Sequence, residues 1–224
     1  MAYLNIGKQI PLRPLTEDEV MEYVYYVLYH CDYLSQVGRT GISPDRYCDH
    51  MDEDGRELVL NSHLWQEFKF VWEYAEKGLH ADEITQVQAS DLISGLYKYA
   101  GLAEVVLLHD GDFGLESRSV SYAGTIILYK FMARLKLDFN WDMEDVTGAF
   151  CLFPMAHDTE LTTVEYALLA GFSSHGAVRN EISSKTDPLK ATKVGKTLLI
   201  SVDEARKRLP RTRNYIPTKG VTHA

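Results

Sequence analysis

The chain has 224 residues, of which 46% are hydrophobic and 25% charged, a composition typical of a globular protein with a sizeable core. Its three cysteines lack paired spacing, which argues against a disulfide framework and favours a reducing, cytoplasmic environment. The N-terminus does not resemble a signal peptide, and no apolar run is long enough to predict a membrane span.

Charge is distributed unevenly along the chain. Residues 1–159 carry 12 Lys and Arg against 26 Asp and Glu, whereas residues 160–224 carry 11 against 6. Although the net charge of the whole chain is −9, its C-terminal part is therefore basic and the rest is acidic. This asymmetry suggests two parts with different partners. Contact with nucleic-acid phosphates requires such a basic part, although chance segregation of charge along a folded chain is an alternative explanation.

Residues 1–157 are expected to form an acidic, mainly helical domain for self-association or partner binding. An extended arm is expected from Tyr3 to Leu15, and Thr16 is a good N-cap for a helix that reaches about Leu34. The segment from Gly38 to Gly55 reads as a loop because it is rich in Gly, Asp and Pro. Apolar periodicity predicts further helices from Ser62 to Gly78, Ala81 to Tyr99, Val120 to Leu137, and Trp141 towards Phe153.

Residues 158–224 contain signals for two short consecutive helices. Thr162 and Glu165 form a capping-box pattern for the first helix, which Gly171 ends. Ser173 or Ser174 can cap the second helix, with Val178 and Ile182 facing inward. The residues predicted to face outward are His175, Arg179, Asn180 and Ser183.

A hairpin and a closing helix are predicted after these two helices. Two short strands turn at Gly195, so that Lys193, Lys196 and Thr197 are placed to contact phosphates. A closing helix is expected from Asp203 to Leu209 and is ended by Pro210, with Arg211 and Arg213 nearby.

Together these features resemble the excisionase-like and mercury-resistance-regulator-like winged helix domains. Within residues 161–209, the resemblance rests on Leu161-Thr162-Thr163, Ala167, Gly171-Phe172-Ser173, Val178-Arg179, Val194-Gly195-Lys196 and Ile200 to Ala205. The chain departs from the families in a turn before Val178 that is one residue longer, and in the absence of their usual Trp near Asn180-Glu181. The resemblance implies a winged helix-turn-helix, with two to three helices and a β-hairpin wing, that binds duplex DNA.

The expected function is sequence-specific binding of double-stranded DNA by a non-enzymatic protein, a transcriptional regulator or a phage or mobile-element factor. A cytoplasmic homodimer without metal or cofactor is expected, since two half-sites multiply the limited affinity of one small module. The expected DNA contacts are polar or basic side chains: Ser173, Ser174, His175, Arg179, Asn180, Ser183, Lys193, Lys196, Thr197, Arg211 and Arg213.

Two other functions stay open at this point. The C-terminal module could contact another protein instead of DNA, since the pattern fixes the fold better than the ligand. An enzyme could also lie in the N-terminal domain, where His109, Asp110 and Asp112 would be the first residues to examine.

Other groups of chemically active residues have simpler explanations. Asp112-Phe113-Gly114 lacks the other kinase motifs, and Cys48 with His50 lacks the spacing of a zinc or calcium site. Both are interpreted as polar turns, and His157 is assigned to the linker.

Overall fold

The computed structural model describes residues 12–41, 51–109, 122–147 and 157–222, with residues 101–109 described by their backbone. Over these ranges the protein is mainly helical, and a small antiparallel sheet lies near the C-terminal end. This confirms the predicted mainly helical class and is compatible with a helical domain followed by a small wing. None of the helices in these ranges combines the length and the hydropathy that crossing a bilayer requires.

Helix α1 (Glu17–Thr40) starts at Thr16, the predicted N-cap. The Thr16 side chain accepts the backbone N–H of Glu19, and the Glu19 carboxylate accepts the N–H of Thr16. The helix continues past its predicted end near Leu34 and stops at Gly41, whose φ of 67° is left-handed.

The loop predicted from Gly38 to Gly55 is wrong at both of its ends. Gly38 lies within α1, and helix α2 (Glu53–Leu60) begins before Gly55. The Asp52 carboxylate accepts the backbone N–H of Gly55 at 2.8 Å. An acidic residue that resembled loop composition is therefore a helix cap, while residues 42–50 lie outside the described ranges.

Helix α3 (His63–Lys77) confirms the prediction from Ser62 to Gly78, because Ser62 caps its start and Gly78 ends it with a φ of 64°. The next predicted helix is divided into a short 3-10 helix (Ala81–Glu83) and helix α4 (Gln86–His109). Thr85 and Gln88 exchange the two hydrogen bonds of a capping box, which places the start of α4 there.

Helix α5 (Ala123–Phe139) is buried from Ala123 to Asp138 and contacts α1, α3 and α4. A helix predicted from Trp141 towards Phe153 begins as α6 (Met143–Thr147). Residues 148–156 lie outside the described ranges, as does most of the predicted N-terminal arm.

The two short helices, the hairpin and the closing helix between residues 157 and 222 follow the predicted order, and a short strand that was not predicted precedes them. Strand β1 (Leu161–Thr162) leads into α7 (Thr163–Ala170), and α8 (His175–Ile182) follows after a turn. Strands β2 (Thr192–Val194) and β3 (Thr197–Ile200) form a hairpin before α9 (Val202–Arg208). The sheet order is β1-β3-β2, and both strand pairs are antiparallel. Pro210, expected to end the last helix, lies in a 3-10 helix (Leu209–Arg211) directly after α9.

The C-terminal part packs on α5. Helices α7 and α9 contact it, and Arg206 of α9 donates a hydrogen bond to the carbonyl of Leu137 at 2.8 Å. Arg134 of α5 donates to the carbonyl of Ile216 at 3.1 Å and to the hydroxyl of Thr218 at 2.7 Å. The predicted boundary between residues 157 and 158 therefore lies between two parts that share buried contacts.

Candidate nucleic-acid interface

The start of α7 is anchored to the central helix. Thr162 and Glu165 form the predicted capping box, in which the Glu165 carboxylate accepts the N–H of Thr162 at 2.8 Å. The same carboxylate lies 2.5 Å from the ammonium of Lys136, and both side chains are fully buried. Lys136 also donates to the carbonyls of His157 and Glu160 at 2.8 and 3.0 Å. The ammonium thus has three acceptors, which compensate the cost of burying its charge.

The turn between α7 and α8 requires glycine at position 171. Gly171 has a φ of 67°, and the N–H of Phe172 donates to the carbonyl of Ala167 at 2.9 Å. A Cβ added to Gly171 would lie 2.6 Å from the Cβ of Asn214, whose side chain donates to the Gly171 carbonyl at 3.3 Å. The predicted helix break is confirmed. The segment that follows α9, here called the C-terminal segment (residues 212–222), packs against this turn through Asn214.

The buried side chains of Val178 on α8 and Tyr166 on α7 orient the two helices. Val178 is fully buried, as predicted, whereas Ile182, which was also predicted to face inward, is half-buried. The buried Tyr166 hydroxyl donates to the Glu181 carboxylate at 3.3 Å. Burial raises the pKa of Tyr166, and the nearby Glu181 carboxylate raises it further, so the hydroxyl stays protonated and remains a donor.

Several of the predicted contact residues lie on the outer face of α8 or just before it. Arg179, Asn180 and Ser183 are exposed, as is Ser173 in the preceding turn. Ser174 occupies the N-cap position, but its side chain makes no capping hydrogen bond. Ser174 and His175 are half-buried, so the fully exposed face of α8 is narrower than the predicted one.

The hairpin presents a second group of predicted residues. Lys193, Lys196 and Thr197 are all exposed. The chain reverses at Gly195, whose φ of 60° is left-handed, and Val194 pairs with Thr197 across the turn. The predicted turn at Gly195 is confirmed, and it brings both lysines to one end of the sheet.

A cleft of about 340 Å³ separates α8 from the hairpin. His175 and Arg179, one helical turn apart, line it from α8, and Lys196 and Thr197 line it from the hairpin. His157, which the sequence assigns to the linker, also lines the cleft. No spacing in the sequence identifies His157, because its place at the cleft depends on the hydrogen bond from the distant Lys136 to its carbonyl as well as on the turn of residues 157–160.

The cations at this cleft are not neutralised by neighbouring acids. In the part of the chain that the structure describes, no carboxylate lies within the 4.0 Å of an ion pair from Arg179 or Lys196, and the same holds for Lys193, which lies on β2 and does not line the cleft. Arg208 differs, since it lies 2.6 Å from Asp187. The positive charge of an exposed cation without an acidic neighbour attracts an approaching anion, whereas the charge of a cation in an ion pair is already partly neutralised.

Arg211 and Arg213 lie apart from the first cleft. They line a second cleft of about 260 Å³, together with Phe172 and Glu181. Arg211 is 3.3 Å from the carboxylate of Asp187. The structure therefore does not bring these two predicted residues together with those on α8 and the hairpin.

The candidates for other chemistry fall mostly outside the described ranges. Asp110, Asp112, Cys48 and His50 are among these, and only the backbone of His109 is described. Among the described residues, no cluster of three or more His, Cys, Asp or Glu side chains is arranged to hold a metal ion.

The first cleft has the chemistry of an anion site. Its polar lining consists of two cations, two imidazoles and threonine hydroxyls, and the rest is apolar, so none of its lining residues is acidic. Phosphate oxygens accept hydrogen bonds from all of these polar groups. No protein-family model matches this chain, and no curated protein or solved structure matches it.

Proposed function

We propose that this chain binds double-stranded DNA through a winged helix-turn-helix formed by its C-terminal part. In this proposal α7 and α8 are the helix pair, β2 and β3 form the wing, and α8 enters the major groove. The observation that carries it is the exposure of Arg179 and Lys196 at one cleft, where neither has a carboxylate partner among the described residues. The order of elements also supports the resemblance to excisionase-like and mercury-resistance-regulator-like domains.

The exposed residues of α8 suit the reading of base edges. Arg179 can pair with the O6 and N7 atoms of guanine, and Asn180 with the N6 and N7 atoms of adenine. Both are exposed on α8, and because consecutive helical residues point about 100° apart, Arg179 and Asn180 would reach different positions along the groove. This pair would supply sequence specificity, while Ser173 and Ser183 lie at the two ends of this helix.

The hairpin lysines suit the phosphate backbone. Both lysines are exposed, Lys193 on β2 and Lys196 in the tight turn that joins β2 to β3, and this hairpin is held by the pairing of β3 with β1 and by the contact of β3 with α7. Contacts of this kind fix the position of the protein on the duplex but carry no sequence information. The basic charge of residues 160–224 adds attraction, whereas the acidic charge of residues 1–159 disfavours DNA contact elsewhere.

The proposal includes a homodimer that acts as a regulator or as an architectural factor on DNA. One helix and one wing contact a short stretch of duplex, so a second copy on a neighbouring half-site would increase affinity and specificity. The half-sites would lie about one helical turn, or roughly 34 Å, apart.

A binding-site selection from random duplex DNA tests this function with the full-length chain. The proposal predicts enrichment of one motif by the unchanged protein and loss of that enrichment in Arg179→Ala. Arg39→Ala, which removes an exposed arginine at the end of α1, is the matched control and should select the same motif. Enrichment of no motif, or an identical motif from Arg179→Ala, would overturn the specific readout proposed for α8.

One observation favours protein contact as a second candidate function. Val194 at the hairpin turn is 54% exposed, and the outer edge of β2 has no strand partner in the described residues. Exposed apolar residues and open strand edges are common features of protein-binding surfaces. Binding of duplex DNA that does not weaken with salt, or is absent, would favour this adaptor function.

A further inference from the structure

His157 is held in one tautomer by the turn that follows it. Its Nδ1 atom accepts the backbone N–H of Thr159 at 3.4 Å and that of Glu160 at 3.2 Å. Because both partners are donors, Nδ1 carries no hydrogen, and the ring hydrogen is on Nε2. The imidazole is therefore neutral, and Nε2–H is its remaining donor.

The backbone of His157 is fixed as firmly as its ring. Its carbonyl oxygen accepts a hydrogen bond from the ammonium of Lys136 at 2.8 Å, and Lys136 is itself fully buried against Glu165. The residue is thus tied to the central helix α5 rather than to α8 or the hairpin. A group held in this way loses little conformational freedom when it binds a ligand.

His157 lines the same cleft as Arg179 and Lys196. A neutral N–H group among cations is suited to an anionic oxygen, because the bond is strengthened by the charge of the acceptor. The cleft already has two cations to offset the phosphate charge, so a neutral donor adds orientation without adding repulsion between like charges.

We propose that His157 contacts the DNA backbone, with its Nε2–H donating to a phosphodiester oxygen held in the cleft between α8 and the hairpin. This inference rests on the proposed function. It extends the DNA-binding surface beyond the helix pair and the wing to a residue that precedes β1. The phosphate would lie between Lys196 and Arg179, which fixes where the duplex backbone crosses the protein.

The variant His157→Asn separates this role from a purely structural one. The Asn carbonyl oxygen can accept the same backbone N–H groups that Nδ1 accepts, as in an Asx-turn. Its side chain is too short to replace the Nε2 donor. The variant should therefore keep the turn and lose the phosphate contact. His63→Asn, at an exposed histidine on α3, is the matched control.

The experiment measures binding of the full-length chain to a duplex carrying the selected site, by fluorescence anisotropy at about pH 8 and several salt concentrations. His157→Asn should weaken binding about tenfold, as expected for loss of a hydrogen bond to a charged group. The slope of log affinity against log salt should not change, because a neutral donor releases no counterion. Lys196→Ala should flatten the slope by about 0.9, and His63→Asn should change neither quantity.

A scan of neutral methylphosphonate linkages along the duplex supplies a second readout that does not depend on stability. One linkage that weakens binding of the unchanged protein should have no further effect on His157→Asn. Unchanged affinity of His157→Asn, or an unchanged pattern of sensitive linkages, would overturn the role of His157 and leave the proposed function intact. Failure of the unchanged protein to bind any duplex would instead overturn the proposed function.

Discussion

The ammonium of Lys136 lies 2.5 Å from the carboxylate of Glu165, and neither side chain has any solvent exposure. This pair joins the central helix α5 to the capping box at the start of α7, so it fixes the position of the proposed DNA-binding part on the helical part. A buried ion pair costs desolvation, but removal of one partner costs more because the other charge stays buried without compensation.

Lys136→Met should therefore destabilise the protein by about 3–5 kcal/mol, since Glu165 is left as an uncompensated buried charge. Chemical denaturation followed by circular dichroism measures the free energy of unfolding. Lys98→Met, at an exposed lysine of α4, is the control and should change it by less than about 0.5 kcal/mol. In the double variant Lys136→Met/Glu165→Gln, the loss in free energy of unfolding should be smaller than the sum of the losses in the two single variants, since no unpaired charge remains. A loss below about 1 kcal/mol for Lys136→Met would contradict the account of this pair.

Gly171→Ala should lower the free energy of unfolding by about 1–3 kcal/mol, because the left-handed φ disfavours Ala and its Cβ would approach Asn214. Gly95→Ala lies inside α4, and apart from its chain neighbours and the backbone of its own helix nothing is within 4 Å of the added Cβ, so this variant should instead raise the free energy of unfolding by about 0.5–1 kcal/mol. Thermal or chemical unfolding of the two variants makes the comparison. Equal effects of the two substitutions would show that the turn between α7 and α8 is not constrained as described.

Arg134→Lys should loosen the C-terminal segment while keeping a positive charge at that position. The guanidinium reaches the Ile216 carbonyl and the Thr218 hydroxyl together, which a single ammonium cannot reproduce with the same geometry. We expect a loss of about 2 kcal/mol in stability and faster trypsin cleavage after Arg213 or Lys219. Arg39→Lys on α1 serves as the control, and mass spectrometry identifies the sites. Unchanged cleavage in this segment would mean that Arg134 does not hold it.

Arg179→Ala and Lys196→Ala should affect DNA binding differently, although each removes one exposed positive charge. Loss of Arg179 should reduce the preference for the selected site over random duplex by about 1–3 kcal/mol. Loss of Lys196 should weaken both duplexes by similar factors, because phosphate contacts carry no sequence information. Competition titrations with the two duplexes measure the preference, with Arg39→Ala and Lys98→Ala as charge-matched controls. An unchanged preference in Arg179→Ala would place base readout elsewhere.

Local signals were enough to predict much of the C-terminal part. The Thr162–Glu165 capping box, the break at Gly171 and the reversal at Gly195 depend on residues close in sequence, and the structure has all three. The exposure of Arg179 and Asn180 follows from the same helical register that buries Val178. These features could be placed without knowing how the helices pack.

Features that depend on distant partners could not be predicted. Apolar periodicity indicated a helix at α5, but not that it would be buried all round with Lys130, Arg134 and Lys136 in its interior. Their acceptors come from α3, from the C-terminal segment and from α7, far away in sequence. His157 was missed for the same reason, since its place at the cleft depends on the anchoring of its carbonyl by Lys136.

The most direct test of the central claim is the salt dependence of duplex binding by the full-length chain, measured by fluorescence anisotropy. With about four phosphate contacts, the slope of log affinity against log salt should be about −3.6, a roughly hundredfold loss between about 50 and about 200 mM salt. Failure to bind duplex at about 50 mM salt, or an affinity that does not change over this range, would contradict the proposal that the basic C-terminal part holds the phosphate backbone of DNA.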